Sequence, residues 1–370
     1  MSWMRIAWTW IIGFAIALLM SSAHPSAADP FVQQPFRVLL GSDLGTLEAL
    51  LVRPSEPGRY PLVLLAHGSP RSPADRPGMT PLSMLPQALE FARRGWAVAI
   101  VMRRGYGNSD GGWAETFGGC GNPNYLAAGA AGAADLKTTL EFLSHRPDID
   151  PTRMIAVGVS AGGFATVALT ADPPPGLVAA ISFAGGRGSQ ESDQVCGPDH
   201  LIEAFRSFGK RSRVPMLWVY AANDHFFGPA VARQFADAFK SAGGDIDFIA
   251  APAFGNDGHG LFSPAGIPIW SAYVDDFLKA HNLVMRDPPM PLPPPAIAAP
   301  ATFSANARKA FETYLIDAPH KAFAFSPDGH FGWKSGARTV ETARAGALKF
   351  CQQSGAHCDV MFVDDAAVGP

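Results

Sequence analysis

The amino-acid sequence predicts an α/β fold, in which a mostly parallel sheet carries helices on both faces, followed by a small C-terminal α+β domain. Continuous apolar runs at residues 61–67 and 97–102 are typical of strands buried on both faces. They alternate with segments of helical spacing at residues 82–94 and 125–146. Right-handed crossovers between such units bring the loops after the strands to one edge of the sheet, where we expect the functional residues.

The remaining elements continue this alternation. Residues 37–53 predict a leading hairpin. Further strands are predicted at residues 154–159, 177–183, 215–220 and 245–250. Further helices are predicted from residue 161 onward and at residues 198–208, 229–242 and 270–280.

The C-terminal part of the chain is set apart by a proline-rich stretch. We predict a catalytic domain at residues 29–284, a semi-rigid linker at 285–301 and a small domain at 302–370. In that small domain we predict a helix at 339–351, with two short strands at 321–326 and 359–363 packed on it.

The first 28 residues predict an export signal. Arg5 provides the positive start, residues 6–20 are almost wholly apolar, and Ser26-Ala27-Ala28 offers a cleavage site before Asp29. The alternative is a retained membrane anchor, but the apolar run is shorter than the roughly 20 residues that a spanning helix needs. We therefore expect a periplasmic or secreted protein with no stable membrane insertion after cleavage.

The cysteines agree with export. An even number in an oxidising compartment indicates pairing, although three connectivities are possible. We favour Cys120 with Cys196 and Cys351 with Cys358, because the linker separates the two pairs. Four buried thiols are the alternative, and metal binding is disfavoured because no C-x-x-C spacing occurs.

The charge balance excludes some classes of function. Charged residues make up 16% of the chain and the net charge is −3, which argues against a nucleic-acid-binding protein. No glycine-rich loop precedes a lysine in the phosphate-binding pattern, and no metal site is evident. We therefore expect no cofactor, and no partner can be named for the C-terminal domain.

The motif Gly158-Val159-Ser160-Ala161-Gly162 matches the nucleophile elbow, a tight turn between a strand and a helix that exposes a serine hydroxyl. The alternative is a structural turn, but a predicted strand precedes the motif and a predicted helix follows it. Ser160 is therefore the candidate nucleophile.

An acid and a base must follow the nucleophile in chain order. Asp224 comes just after the strand predicted at 215–220, and His259 lies in a glycine-flanked loop after the strand predicted at 245–250. Asp257 is an alternative acid. His225 adjoins the acid and cannot easily turn back on it, and His67 precedes the nucleophile, so neither is expected to be the base.

Two backbone amides would stabilise the oxyanion of the reaction. Those of Ser69 and Ala161 are the candidates, because Pro70 has no N–H to donate. The loop at residues 103–110 follows a buried strand and could contact substrate or be structural. A substrate pocket is expected from five aromatic residues: Tyr106, Trp113, Phe226, Phe227 and Phe262.

In combination, the stretches LLAHGSPR, RRGYGNSDG, GVSAGGFAT, YAANDHFF and NDGHGLF resemble the dienelactone hydrolase-like branch of the α/β-hydrolase superfamily. This resemblance implies the α/β-hydrolase fold and a carboxylic-ester hydrolase acting on a small-molecule ester. Enzymes that open dienelactones use a cysteine nucleophile, whereas this chain has Ser160, so a dienelactone substrate is not expected. The branch also resembles the prolyl-oligopeptidase catalytic domain.

Three functions therefore remain open. The leading hypothesis is an exported serine esterase that works through an acyl-enzyme intermediate. The second is a serine peptidase or acyltransferase with the same triad. The third is a catalytically inactive hydrolase fold that serves as a binding protein of the cell envelope.

Overall fold

A computed structural model describes residues 29–41 and 43–368, so the predicted signal peptide lies outside the described residues. An eight-stranded sheet has the strand order β1-β2-β4-β3-β5-β6-β9-β10. The strands of the described chain are β1 (Phe31–Leu39), β2 (Thr46–Pro54), β3 (Tyr60–Ala66), β4 (Ala97–Val101), β5 (Ile149–Val159), β6 (Leu177–Phe183), β7 (Ser189–Glu191), β8 (Gln194–Val195), β9 (Met216–Ala221), β10 (Ile246–Ala251), β11 (Ala322–Phe325), β12 (Phe331–Lys334), β13 (Asp359–Val363) and β14 (Ala366–Ala367).

Eight α-helices lie between or after these strands in the part of the chain that the structure describes. They are α1 (Leu85–Ala92), α2 (Tyr125–Ser144), α3 (Ala161–Leu169), α4 (Pro198–Arg211), α5 (Pro229–Ser241), α6 (Ile267–Ala280), α7 (Ala305–Ile316) and α8 (Val340–Cys351). None of the described helices is both long and apolar enough to cross a membrane.

The sheet confirms the predicted fold class. From β4 to β10 every neighbouring pair is parallel, whereas β2 runs antiparallel to both β1 and β4. All residues of β4 and β9 are buried, because helices cover both faces of the sheet. Helices α1 and α6 pack on one face around Phe91 and Trp270, and α2 packs on the other through Leu136 and Leu140.

Close contact between α2 and its neighbours explains the glycines of the alanine-rich helix. A Cβ at Gly129 would lie 2.8 Å from the Phe208 ring, and one at Gly132 would lie 2.8 Å from Cβ of Ala165. The helix begins at Asn124, whose side chain accepts a hydrogen bond from the amide of Ala127. These contacts place α2 directly beside α3, the helix that follows the nucleophile elbow.

The C-terminal domain contains more structure than the sequence predicted. Its sheet has four strands in the order β12-β11-β13-β14, packed between α7 on one face and α8 on the other. The prediction of two strands and one helix was therefore incomplete. Helix α7 had a readable signal, because Ser304 caps it and Ala307, Phe311 and Tyr314 are buried at helical spacing.

Candidate active site

The nucleophile elbow is built by close backbone packing. Ser160 has φ 55° and ψ −123°, a backbone conformation that residues other than glycine rarely adopt. A Cβ at Gly158 would lie 2.3 Å from the Gly162 carbonyl oxygen, and a Cβ at Gly162 would lie 2.1 Å from that of Ala66. Both glycines are therefore required by space. The turn places Ser160 at the start of α3, at the carboxyl ends of β3 and β5.

The candidate base is held by the candidate acid. His259 Nδ1 lies 3.1 Å from Oδ2 and 3.2 Å from Oδ1 of Asp224. Oδ1 of Asp224 also accepts the amides of Phe226 and Phe227 at 2.7 and 2.9 Å. The Asp224 side chain is fully buried, so these four contacts satisfy a carboxylate that water does not reach.

The alternative acid and the neighbouring histidine have other partners. Oδ1 of Asp257 accepts the backbone amides of His259 at 2.9 Å and His225 at 3.1 Å, which fixes the loop rather than the imidazole. The ring of His225 contacts Asp193 at 3.0 Å. Asp224 rather than Asp257 is therefore the carboxylate bonded to the His259 ring.

The link between base and nucleophile is not formed. Among the described residues, the Ser160 hydroxyl makes no hydrogen bond to the His259 imidazole, contrary to the expectation that they meet. The imidazole is stacked flat on Phe226, with ring centroids 3.8 Å apart, and lies 5.8 Å from Phe227. Both phenylalanines line the same cleft as Ser160. Catalytic hydrogen bonds of this kind are often long without substrate and tighten in the complex.

Two amides lie beside the serine. A Cβ at Gly68 would be 3.2 Å from that of Ser160, so the loop after β3 runs against the nucleophile. The Ser69 and Ala161 amides donate to no acceptor within residues 29–41 and 43–368, and both residues line the cleft with Ser160. The Ala161 amide also lies at the positive end of α3.

His67, which was not expected to be the base, makes structural hydrogen bonds. Its Nδ1 donates to the Gly68 carbonyl at 2.6 Å, and its Nε2 accepts the amide of Arg103 at 3.1 Å. Burial, and secondarily the charge of Arg103, lower the pKa of His67 well below its ordinary value. A neutral ring with one donor and one acceptor fits these contacts.

A cleft of about 340 Å³ opens in front of Ser160. Of the five predicted pocket residues, Trp113, Phe226 and Phe227 line it. The prediction was wrong for the other two. Tyr106 is fully buried beneath the loop, where its hydroxyl donates to Oγ of Ser69 at 3.0 Å. Phe262 belongs to the core, where it stacks on Phe183 at 4.2 Å.

The lining of the cleft is positively charged. It includes Arg71, Arg76 and Arg187 and, within the described chain, no acidic side chain. The guanidinium of Arg71 lies 3.6 Å over the Phe226 ring, and that of Arg76 lies 3.6 Å over Trp113. The sequence reasoning missed these arginines. For Arg71 and Arg76 the available signal was the loop SPRSPADRPG, which follows β3 at the carboxyl edge of the sheet, whereas Arg187 lies in the loop after β6.

A buried ion-pair network lies behind the arginine-containing lining of the cleft. Glu115 is 1% exposed and pairs with both Arg103 and Arg187, which are 0% and 6% exposed. Burial raises the pKa of Tyr106, but the charges of Arg187 and Arg103 outweigh it, so the pKa is lowered. The Nε–H groups of Arg76 and Arg187 are buried without an acceptor in the described chain. Because two guanidinium groups share the one carboxylate of Glu115, the network carries excess positive charge.

The loop at residues 103–110, left open by the sequence, is structural. Arg104 pairs with Asp135 at 2.6 Å. Ser109 Oγ accepts the amide of Glu48 at 2.9 Å, and Asp110 accepts that of Thr46 at 2.9 Å. These bonds fasten the loop to β2 and α2.

A disulfide connects two loops at the cleft edge. Cys120 is bonded to Cys196, and Cys351 to Cys358, which is the pairing that the sequence favoured. The amide of Cys196 donates to the Gly188 carbonyl at 2.9 Å. Gly188 and Ser189, at the start of the β7–β8 hairpin, line the cleft. No cluster of three or more His, Cys, Asp or Glu side chains within the described ranges is placed to hold a metal ion.

Two family models match the chain. One describes X-Pro dipeptidyl-peptidases of the S15 family and matches residues 45–197, and the other describes the dienelactone hydrolase family and matches residues 124–280. Both families are hydrolases, which supports hydrolytic activity for this chain. No curated protein matches the sequence.

Solved structures show the same fold. An esterase of Pyrococcus furiosus has a TM-score of 0.50 at 12% identity, with 68% of this chain and 90% of that chain covered. An acylaminoacyl peptidase of Pyrococcus horikoshii has a TM-score of 0.50 at 20% identity, with 71% of this chain covered. This chain spans 44% of the length of that peptidase.

The sheet order, the elbow and these matches show that the chain has the α/β-hydrolase fold. Residues 124–280 are similar to the dienelactone hydrolase family, with serine at the elbow.

Proposed function

We propose that this protein is an exported serine hydrolase that cleaves carboxylic esters through an acyl-enzyme intermediate. The observation that carries the proposal is the arrangement at one edge of the sheet. Ser160 stands in a strained turn beside two unbonded amides, and the next loops hold His259 hydrogen-bonded to Asp224. This combination supplies a nucleophile, a base with an orienting acid, and an oxyanion site.

The residues would act in sequence. Free serine is a weak nucleophile, so Nε2 of His259 would take its proton as the hydroxyl attacks the ester carbonyl. Asp224, bonded to Nδ1, would hold the required tautomer and stabilise the imidazolium. His259 would then return the proton to the departing alcohol, and water would hydrolyse the acyl-serine by the same steps.

The oxyanion of each tetrahedral intermediate would sit between the amides of Ser69 and Ala161. Neither amide has another acceptor in the described chain, so both can be aimed at developing charge without reorganisation. Loss of one such donor typically lowers kcat by about 10²–10³-fold.

The charge of the cleft indicates the kind of ester. With three arginines in the lining and no acidic side chain among its described residues, the cleft favours an ester that also carries a negative charge. A matched pair of esters, one bearing a carboxylate and one its methyl ester, tests this directly. The carboxylate should lower KM at low ionic strength, and added salt should diminish the difference.

A serine peptidase is the second candidate, favoured by the S15 match over residues 45–197. A dipeptidyl-peptidase must bind the free amine of its substrate, which calls for a carboxylate. The buried carboxylate behind the cleft, Glu115, is paired with Arg103 and Arg187. This argues against recognition of an N-terminal amine and favours the ester reaction.

Export and the division of the chain belong to the same proposal. Two disulfides fit an oxidising compartment. The mature chain would consist of a catalytic domain at 29–284, a linker at 285–301 and a small domain at 302–370. Cell fractionation with N-terminal sequencing should find the protein outside the cytoplasm and beginning at Asp29. A chain that still begins at Met1 would contradict the signal peptide.

Two assays on the purified mature protein test the catalytic role. A fluorophosphonate probe should label the wild type and not Ser160→Ala, and an ester panel should be hydrolysed by the wild type alone. Absence of labelling, where a known serine hydrolase is labelled, would favour an inactive binding protein. Turnover of peptide amides far above that of esters would favour the peptidase.

A further inference from the structure

One arginine of the C-terminal domain forms an ion pair and hydrogen bonds with the catalytic domain. Arg338 lies in the loop between β12 and α8, and its Nη1 and Nη2 lie 3.0 and 2.9 Å from the two carboxylate oxygens of Glu48 on β2. Its Nε donates to the Pro77 carbonyl at 3.3 Å, and its Nη2 also donates to that of Met79. One side chain of the small domain thus binds two separate segments of the catalytic domain.

The segment that Arg338 holds forms part of the cleft wall. It is the short 3₁₀ turn Pro73–Gly78, which contains no buried residue. Both Pro73 and Arg76 line the cleft. Within the described chain, hydrogen bonds from the rest of the protein to residues 73–79 come from two places: Arg338, and the amide of Gly107, which donates to the Arg76 carbonyl at 2.9 Å. Arg76 also stacks on Trp113 and Met79 packs against the core, but an exposed turn with so few hydrogen bonds depends on each of them.

Glycines in both domains leave room for the close contact around the Arg338–Glu48 ion pair. A Cβ at Gly107 would lie 2.6 Å from Oε2 of Glu48 and 2.7 Å from Nη2 of Arg338. Gly107 has φ 57°, a conformation that favours glycine. In the loop of Arg338, a Cβ at Gly336 would lie 2.7 Å from Cα of Ser83, so the two backbones also touch beyond the ion pair.

We propose that the C-terminal domain helps to form the substrate cleft by ordering the turn at residues 73–79. Arg338 would be the positioning residue that holds Arg76 of this turn in place. The proposal rests on the proposed function, in which an anionic ester meets the arginines of the cleft. A guanidinium held in place loses less conformational freedom when it binds an anion than one on a mobile turn. Arg338 therefore acts on substrate binding, through Arg76, without touching the substrate.

The first test measures order in the turn without reference to activity. Hydrogen–deuterium exchange of residues 73–79 should be at least about tenfold faster in Arg338→Ala than in the wild type. Lys349→Ala, which removes an equal charge from an exposed position on α8, is the control and should leave exchange unchanged. Unchanged exchange in Arg338→Ala would overturn the proposal whether or not the protein hydrolyses esters.

The second test separates positioning from general stability. For the carboxylate-bearing ester, Arg338→Ala should raise KM about fivefold to tenfold with kcat within about twofold, and KM for its methyl ester should not change. Thermal unfolding of the same variant shows whether the whole protein has weakened. Equal losses on both esters would mark Arg338 as merely structural and overturn the proposal.

A double-mutant cycle tests the route through Arg76. If Arg338 acts through Arg76, the double variant Arg76→Ala/Arg338→Ala should bind the charged ester no worse than Arg76→Ala. Additive losses would show that Arg338 acts by another route and contradict the proposal. A wild type inactive on every ester would overturn the proposed function instead, and the exchange measurement would still decide whether Arg338 orders the turn.

Discussion

The carboxylate of Asp224 lies 3.1 Å from Nδ1 of His259, and the same carboxylate accepts the amides of Phe226 and Phe227. The two amides fix the carboxylate in the loop after β9, and the carboxylate in turn fixes the imidazole. Because Nδ1 is occupied, Nε2 is the ring nitrogen available to accept a proton. The acid therefore sets which nitrogen of His259 can act.

Asp224→Asn should lower kcat on esters by about 10³–10⁴-fold, because an amide at this position favours the wrong imidazole tautomer. Steady-state kinetics on the ester panel measure the loss. Asp257→Asn is the matched control, since Asp257 bonds the backbone amides of His225 and His259 and not the ring. Severe loss in Asp257→Asn with little in Asp224→Asn would reverse the assignment.

The sheet was predictable because its signals are local and strong. The apolar runs of β3 and β4 reflect burial on both faces of the sheet. The glycines around Ser160 reflect a tight turn that has no space for a Cβ atom. The short strand β12, with the sequence FGWK, pairs with β11 across the five-residue turn 326–330, so the turn residues Pro327-Asp328-Gly329 were a hairpin signal that the prediction missed.

The chemistry of the cleft was less predictable than the positions of the triad. Order along the chain and location after strands suffice to propose Ser160, Asp224 and His259 as a triad. They do not reveal that Tyr106 is buried under Ser69, or that Arg187 reaches Glu115. Those contacts join loops that are distant in sequence, so an aromatic residue near a predicted site cannot be assigned to pocket or core without the fold.

Glu115→Gln should destabilise the protein by about 3–5 kcal/mol, because it leaves the buried guanidinium groups of Arg103 and Arg187 without their carboxylate. Urea unfolding of the wild type and the variant measures the difference. Glu203→Gln breaks the exposed pair with Arg206 and should change stability by at most about 1 kcal/mol. Equal small effects in the two variants would show that the buried network contributes little.

The two disulfides should differ in their contribution to stability, because they close loops of different length. Cys120 and Cys196 are 76 residues apart, whereas Cys351 and Cys358 are 7 apart. The chain-entropy relation gives about 4.5 kcal/mol for the longer loop and about 2.5 kcal/mol for the shorter. Double serine variants of each pair, compared by urea unfolding, test the order.

The Cys120–Cys196 disulfide, which closes the longer loop, also lies close to the substrate cleft. Cys196 adjoins the hairpin that carries Ser189 to the cleft edge, so its double serine variant should also change KM for esters. The Cys351–Cys358 variant should leave KM unchanged. A larger stability loss in the short-loop variant, or a KM change confined to it, would contradict this account.

The pKa of His225 should be raised in the folded protein, through its hydrogen bond to Asp193 and the charges of Asp193, Asp257 and Asp224. A pKa higher in the folded than in the unfolded chain means that this contact stabilises the protein below the ordinary value of 6.5. That contribution is lost as pH rises through the folded pKa.

NMR titration of the His225 ring should show an elevated midpoint that falls in Asp193→Asn. Asp199→Asn, which removes an equal charge from the exposed first turn of α4, should leave the midpoint in place. A His225 midpoint indifferent to Asp193→Asn would show that the pair does not form in solution.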